Sequence, residues 1–177
     1  MKLLTWILLV ANVAHAQITS PVFPLVNNQI TYTDVVSLDS SYTAAILRNH
    51  ARLFFNKAAT DHNASVKLDQ SKIKDFIVSD NENSVIGNVR FIAIRGIVSV
   101  LFEAVLNIEV KPGRYRYTLD NIKVLGNNLE NYSAGGLLQD QYKIDKSKPM
   151  LIAFDIRIKK LIADMKLVMV SSIKQDF

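Results

Sequence analysis

The chain has 177 residues, of which 49% are hydrophobic and 21% are charged, and its formal net charge is +5 at pH 7. This composition is ordinary for a globular protein and argues against a disordered chain. Cysteine is absent from the sequence, which excludes disulfides, thiol catalysis and cysteine-based metal sites. The basic residues are spread from Arg48 to Lys174. A nucleic-acid partner is therefore not expected, because such a partner needs basic residues clustered on one face.

The first sixteen residues have the order of a secretory signal peptide. Lys2 precedes an apolar run from Leu3 to Val13, and the small residues Ala14 and Ala16 mark a cleavage position after Ala16. The apolar run is shorter than the roughly 20 residues that a bilayer span needs. We therefore expect export to the periplasm or the extracellular space, with no transmembrane anchor after cleavage. The remaining chain of about 160 residues has the length of one domain.

The next part of the chain predicts an extended lead-in, a strand and a helix. Residues 17–29 hold two prolines and are expected to be extended, and residues 30–38 are expected to form a strand. Asp39, Ser40 and Ser41 are candidate N-caps for a helix over Tyr42 to Lys57. The apolar residues of that helix recur at helical spacing: Leu47, Ala51, Phe54 and Phe55.

Residues 60–84 predict short, irregular elements. A turn is expected over Thr60 to Ala64, short strands over residues 65–68 and 73–79, and a loop over Asp80 to Ser84. The loop begins with acidic residues like a calcium site. However, Val85 stands where the sharp turn of such a site needs glycine, and Phe91 stands where it needs a bidentate glutamate. No metal site is predicted.

Asn107 to Leu119 predicts a β-hairpin around the Pro112-Gly113 turn. Two strands with a bend at Gly96 are expected to precede the turn over residues 85–110, and the strand after it is expected to reach Val124. Alternation places two tyrosines on one face of the hairpin and two arginines on the other. These four residues, Arg114, Arg116, Tyr115 and Tyr117, are the candidate binding residues. Either pair could face solvent, and Glu109 is a possible cross-strand partner for the arginines.

The C-terminal part predicts a long loop and an amphipathic helix. Residues 126–148 are polar and contain Gly135-Gly136 and several asparagines, so they are expected to form a loop. Residues 150–173 carry apolar residues at 3-and-4 spacing, with Pro149 acceptable in the first turn. The apolar side of this helix is wide, so we expect it to pack on the sheet of its own domain.

Together these elements predict a single α+β domain over residues 30–177, with a mostly antiparallel sheet of four to five strands and a C-terminal helix packed on one sheet face. The residues also carry a resemblance. Residues 47–55, preceded by Tyr32 to Asp39, and the string Lys111 to Thr118 resemble the secreted bacterial domain-of-unknown-function family 4468 over about residues 30–124. The resemblance implies a TBP-like fold and an envelope setting typical of Bacteroidetes-like bacteria. It implies no catalytic residue.

The sequence contains no motif for acyl transfer or nucleotide binding. After signal cleavage, His50 and His62 are the remaining histidines, and neither belongs to a recognisable zinc site or triad. The sequence therefore predicts no catalytic residue, no metal site and no cofactor. The favoured hypothesis is a non-catalytic binding or structural module, monomeric or weakly dimeric, for a protein, peptide or glycan partner. The alternative is a small hydrolase-like enzyme whose histidine and carboxylate site is assembled in space.

Overall fold

The computed structural model describes residues 23–65, 77–95, 98–127, 137–138, 140 and 149–171. The expected signal peptide and most of the expected loop at 126–148 lie outside these residues. Within them, Leu137 forms an isolated antiparallel bridge with Lys123, and Leu138 is buried in the core. No helix in the described ranges is both long and apolar enough to span a membrane.

The described elements are, in chain order, β1 (Leu25–Val26), β2 (Gln29–Ile30), β3 (Tyr32–Ser37), α1 (Ala44–Ser65), β4 (Ile77–Asn81), β5 (Ser84–Arg95), β6 (Val98–Lys111), β7 (Arg114–Asn127) and α2 (Pro149–Val170). β3 to β7 form one antiparallel sheet in the order β3-β7-β6-β5-β4. β4 to β7 are successive neighbours, whereas β3 enters the sheet before α1 and pairs with the last strand. The predicted α+β class and the predicted antiparallel sheet of four to five strands are confirmed, and the sheet has five strands.

Both helices pack on the same face of the sheet, which we call the helix-covered face. Alternate strand residues are buried there, as the period of two along a strand requires. The centre of the core is aromatic: the Phe102 and Phe154 ring centroids are 5.0 Å apart, and Phe91 lies 5.6 Å from each of them. Phe154 belongs to α2, so this cluster seats the C-terminal helix on the central strands. The opposite face, which we call the open face, has no described helix on it.

The C-terminal end of α2 is bound by one side chain from α1 and one from the connection that precedes it. The Nδ1 atom of His50 lies 2.8 Å from the carbonyl oxygen of Met169, and the Tyr42 hydroxyl donates to the carbonyl of Val170 at 3.0 Å. The last carbonyls of a helix have no partner within the helix. These two contacts therefore satisfy helix-end carbonyls and fix the two helices against each other.

Two predicted boundaries in the first half of the chain are wrong. α1 begins at Ala44 and runs on to Ser65, through Thr60 to Ala64, where a turn was expected. Neither glycine nor proline interrupts the chain from Tyr42 to Ser65, and Ala58-Ala59 favours helix continuation. Ser65 is accordingly the end of a helix and not the start of a strand. The remainder of that predicted strand lies outside the described residues.

Two tight turns replace irregular segments that the sequence predicted. Within the expected lead-in, β1 and β2 pair through Asn27 and Asn28, whose φ angles of 50° and 63° fit a hairpin turn with two left-handed residues. The expected loop at Asp80 to Ser84 is mostly strand, with a two-residue turn between β4 and β5. The Asn81 side chain accepts hydrogen bonds from the backbone N–H groups of Asn83 and Ser84 at 3.0 and 2.9 Å, which stabilises this turn.

Candidate functional site

The β6–β7 hairpin presents its tyrosines and its arginines to opposite faces, as the alternation predicts. Tyr115 and Tyr117 are 1% and 6% exposed on the helix-covered face. Arg114 and Arg116 lie on the open face and are exposed. The structure therefore separates the four candidate binding residues, and only the arginines are accessible to a ligand.

The arginines belong to a shallow basic pocket of about 240 Å³ at the hairpin end of the open face. The pocket is lined by Val35, Glu109, Lys111, Arg114, Tyr115 and Arg116. Strand pairing brings these residues together: Arg116 lies opposite both Val35 of β3 and Glu109 of β6, and Arg114 lies opposite Lys111. Three cations thus surround one carboxylate, which suits the pocket to an anionic group.

Within the pocket, Arg116 and Glu109 form an ion pair through the Arg116 Nε atom. The hydrogen bond from Arg116 holds the pKa of the Glu109 carboxyl below its usual range, and the charge of Lys111 lowers it further. The same pair raises the pKa of Arg116. Lys111 and Arg114 form no ion pair with any residue that the structure describes, so their charges are available to a ligand.

The turn at the base of the pocket is fixed by backbone contacts. Gly113 has a φ of 70°, as the second central residue of a type II turn requires. Its carbonyl accepts a hydrogen bond from the N–H of Leu38, and its N–H donates to the carbonyl of Tyr42, both at 2.8 Å. These contacts join the hairpin to the connection between β3 and α1. The basic pocket is therefore built on a rigid support, which favours precise binding.

The two tyrosines belong to the core, and Tyr117 contacts α2. Lys166 of α2 lies 5.3 Å from the centroid of the Tyr117 ring and forms an ion pair with Asp34 at 2.9 Å. The Tyr115 hydroxyl is buried with no hydrogen-bond partner among the described residues, and burial raises the pKa of Tyr115 to about 12. Burial also raises the pKa of Tyr117. Both side chains are buried on the helix-covered face, although Tyr115 also borders the basic pocket.

Farther from the hairpin, the open face is partly apolar. Ile92 lies opposite Leu101, and Ile94 is 66% exposed. Between this apolar end and the basic pocket, Arg90 and Glu103 form a cross-strand ion pair at 2.7 Å. The open face thus combines apolar area at one end with positive charge at the other.

Two polar side chains near the middle of the open face are partly buried. The Asn107 side-chain oxygen is buried without a hydrogen bond to any described residue, and burial raises the pKa of Asp120. Asp120 precedes a β-bulge at Asn121, which has a φ of 48°. Bulges of this kind re-aim neighbouring side chains and are frequent beside functional sites.

The histidines do not form a described catalytic arrangement. His50 is 1% exposed, and its Nδ1 atom contacts Met169. Its Nε2 atom is buried without a hydrogen-bond partner in the part of the chain that the structure describes. The side chain of His62 lies outside the described part of α1. Among the described side chains, no three histidine, aspartate or glutamate residues converge as a metal site would require. Asp80, from the expected acidic loop, is instead paired with Arg48 and Arg52 of α1.

Residues 32–124 match the family described as "Domain of unknown function (DUF4468) with TBP-like fold". The chain belongs to the DUF4468 family. The predicted resemblance is confirmed by this match, which begins at the first residue of β3 and ends within β7. All residues of the basic pocket lie inside the DUF4468 region, whereas α2 lies outside it.

Two solved structures share the fold of this DUF4468 chain. A TBP-like protein from Parabacteroides distasonis is similar with a TM-score of 0.61 at 13% identity, covering 84% of this chain and 97% of that one. A DUF4468 family protein from Bacteroides ovatus is similar with a TM-score of 0.51 at 12% identity, covering 86% of this chain and 93% of that one. At such identities the similarity establishes the TBP-like fold alone. None of the curated proteins matches the chain.

Proposed function

We propose that this chain is a non-catalytic binding module of the bacterial cell envelope, which holds a protein, peptide or glycan partner on its open sheet face. The observation that carries the proposal is the two-sided sheet. Both helices lie on one face, while the open face carries apolar side chains at one end and the basic pocket at the other. An exposed sheet face with apolar area and unpaired charge is a recurring type of binding surface.

The location is proposed from the sequence. The first sixteen residues have the order of an export signal, and the similar structures come from Parabacteroides and Bacteroides. The hydrolase-like alternative has no described observation in its favour. His50 lies in the core against the end of α2 and does not line the basic pocket. A role for His62 stays a prediction.

The proposal is tested by affinity capture from an envelope extract, with the full chain as bait. The test variant is Arg114→Glu with Arg116→Glu. The matched control is Lys159→Glu with Lys160→Glu, which makes the same charge change on exposed side chains of α2. We expect a component that wild type and control retain and the test variant loses, and that binds again after purification.

Two results would contradict the proposal. One is retention of every captured component by the Arg114→Glu, Arg116→Glu variant while its thermal unfolding stays cooperative. The other is catalytic turnover of the purified component by the wild-type chain, which would show that the chain acts as an enzyme and not as a binding module.

A further inference from the structure

The basic pocket lies beside a free sheet edge. β3 pairs with β7 on one side, and no described strand pairs with its other side. Val35 of β3 is 56% exposed and lines the pocket, and Ser37 lies opposite Arg114. An unpaired edge strand presents backbone donors and acceptors that another extended chain can bind.

The direction of the backbone groups in β3 follows from one hydrogen bond. The N–H of Leu38 donates to Gly113, so Leu38 faces the β7 side of the strand. In an antiparallel sheet the N–H and C=O of a residue point the same way, and this direction alternates along the strand. Asp34 and Val36 therefore also face β7. The backbone groups of Thr33, Val35 and Ser37 point outward from the sheet.

We propose, building on the proposed function, that the partner segment is an acidic extended polypeptide that adds to β3 as an antiparallel strand and places alternate carboxylates in the basic pocket. The outward backbone groups of β3 supply the pairing. In the free protein the N–H of Val35 contacts the Asp34 carboxylate. When the strand adds, this contact breaks and the N–H of Val35 donates to a carbonyl of the added strand instead.

Charge complementarity sets the spacing of the carboxylates. Side chains of an added strand opposite Val35 and Ser37 point to the open face, toward Arg116 and Arg114. The added strand and β7 would be about 9 to 10 Å apart, two strand spacings, which glutamate and arginine side chains can bridge together. On the helix-covered side the residue between these two would lie opposite Val36, and the residue after them would meet the carboxylate of Asp34. The segment should therefore carry acidic residues at i and i+2, with neutral residues at i+1 and i+3.

The backbone requirement favours a polypeptide over a glycan. Only a polypeptide offers N–H and C=O groups at the repeat of the β3 edge. Sugar rings and nucleic-acid bases instead stack on exposed aromatic rings. The large hydrophobic side chains that the structure describes as exposed are all aliphatic, and the hairpin tyrosines are buried.

The probe is a short fluorescein-labelled peptide in which glutamate alternates with threonine, titrated into the full chain and followed by fluorescence anisotropy. A control peptide has the same composition with the glutamates in adjacent pairs, so that half of them point to the helix-covered side, where Asp34 and Val36 lie. We expect the alternating peptide to bind at least about fivefold more tightly, since each misplaced carboxylate loses a charge-assisted contact of roughly 1 kcal/mol or more. Added salt should weaken both peptides.

N-methylated peptides test strand addition without changing the protein. In the proposed register the N–H groups of the glutamates point to β3 and those of the threonines point away. Methylation at the glutamates should weaken binding about tenfold or more, because each lost backbone hydrogen bond costs about 1 kcal/mol. Methylation at the threonines should change it little. Bound peptide should also slow hydrogen exchange at Thr33, Val35 and Ser37, and not at Asp34 or Val36.

The outcomes separate this inference from the proposed function. Equal binding by both methylated peptides, with loss on Arg114→Glu plus Arg116→Glu, overturns strand addition and leaves the basic pocket as a binding site. Failure of every acidic peptide to bind overturns the inference, while the captured envelope component still decides the proposed function. Tighter binding of a sulfated oligosaccharide with the same arginine dependence overturns the polypeptide class. Sedimentation without peptide tests whether the chain associates with itself through β3. Association that rises with concentration would mean that a second copy of the chain binds the β3 edge, and it would also overturn the inference.

Discussion

Replacing Glu109 with glutamine should strengthen binding of the alternating acidic peptide. The Glu109 carboxylate occupies the guanidinium of Arg116 in the free protein. A ligand carboxylate must compete with it, so the internal pair opposes binding. Glu109→Gln keeps the size of the side chain, removes its charge and leaves Arg116 free for the ligand.

The magnitude follows from the exposure of the pair. The side chains of Arg116 and Glu109 are 55% and 37% exposed, and exposed ion pairs contribute about 0.2 to 1 kcal/mol. At about 1.4 kcal/mol per factor of ten, loss of this competition should tighten binding roughly 1.4- to 5-fold. The free energy of unfolding should fall by no more than about 1 kcal/mol, because the same exposed pair supplies it.

The assay is anisotropy titration of wild type and two variants with the alternating peptide. The control is Glu103→Gln, which makes the same change at another ion pair on the open face. Glu103 is about 20 Å from Glu109 along β6, well beyond the Debye length of about 8 Å at physiological salt. Unchanged or weaker binding by Glu109→Gln, or an equal gain in Glu103→Gln, would refute the assignment of the ligand carboxylate to Arg116.

Three further predictions concern the support of the site. Gly113→Ala should lower the free energy of unfolding by roughly 1 to 2 kcal/mol in urea titrations, because a φ of 70° strains alanine. The strain comes from the backbone alone, since the atoms nearest to the new Cβ would be 3.6 Å away. An unchanged free energy of unfolding would contradict the observed turn. The pKa of Asp34 is lowered chiefly by its hydrogen bond from Lys166. The ion pair should therefore stabilise the fold above the ordinary aspartate pKa of 3.8, and this stabilisation should be lost as the pH falls through the lowered pKa of Asp34. The stability difference between wild type and Asp34→Asn, below about 1 kcal/mol near neutral pH, should therefore vanish in acid, and a difference independent of pH would contradict it. Phe154→Ala should cost about 3 to 5 kcal/mol by leaving a cavity in the aromatic core, and a loss below about 1 kcal/mol would show that α2 is not seated on the sheet by this ring.

The opposed faces of the hairpin were predictable because alternation is a local property of a strand. Tyr115 and Arg116 are neighbours in sequence, so their separation needs no knowledge of the rest of the chain. The type II turn was predictable for the same reason, since Pro112 and Gly113 each match one position of it.

The basic pocket as a whole was not predictable from local pattern. Val35 reaches it through the pairing of β3 with β7, which joins residues far apart in the chain. Lys111 and Glu109 were visible beside the turn, but their common face with the arginines depends on the β6–β7 register. The exposure of the open face could not be predicted from residue type, because Ile92 and Leu101 are as apolar as residues on the helix-covered face. The length of α1 was misjudged because Thr60 to Ala64 has weak helix propensity, which the surrounding helix overrides.

The placement of α2 explains why a ligand on β3 should reach the arginines and not the tyrosines. Two polar contacts hold α2 over the β3 edge of the sheet: the Tyr32 hydroxyl donates to Asp155 at 3.2 Å, and Lys166 pairs with Asp34. On the helix-covered side, an added strand would therefore meet α2 and its charged side chains. On the open face it would meet Val35 and the two arginines, with no described element above them. The fold thus makes one side of the same edge a closed packing surface and leaves the other side to recognise charge.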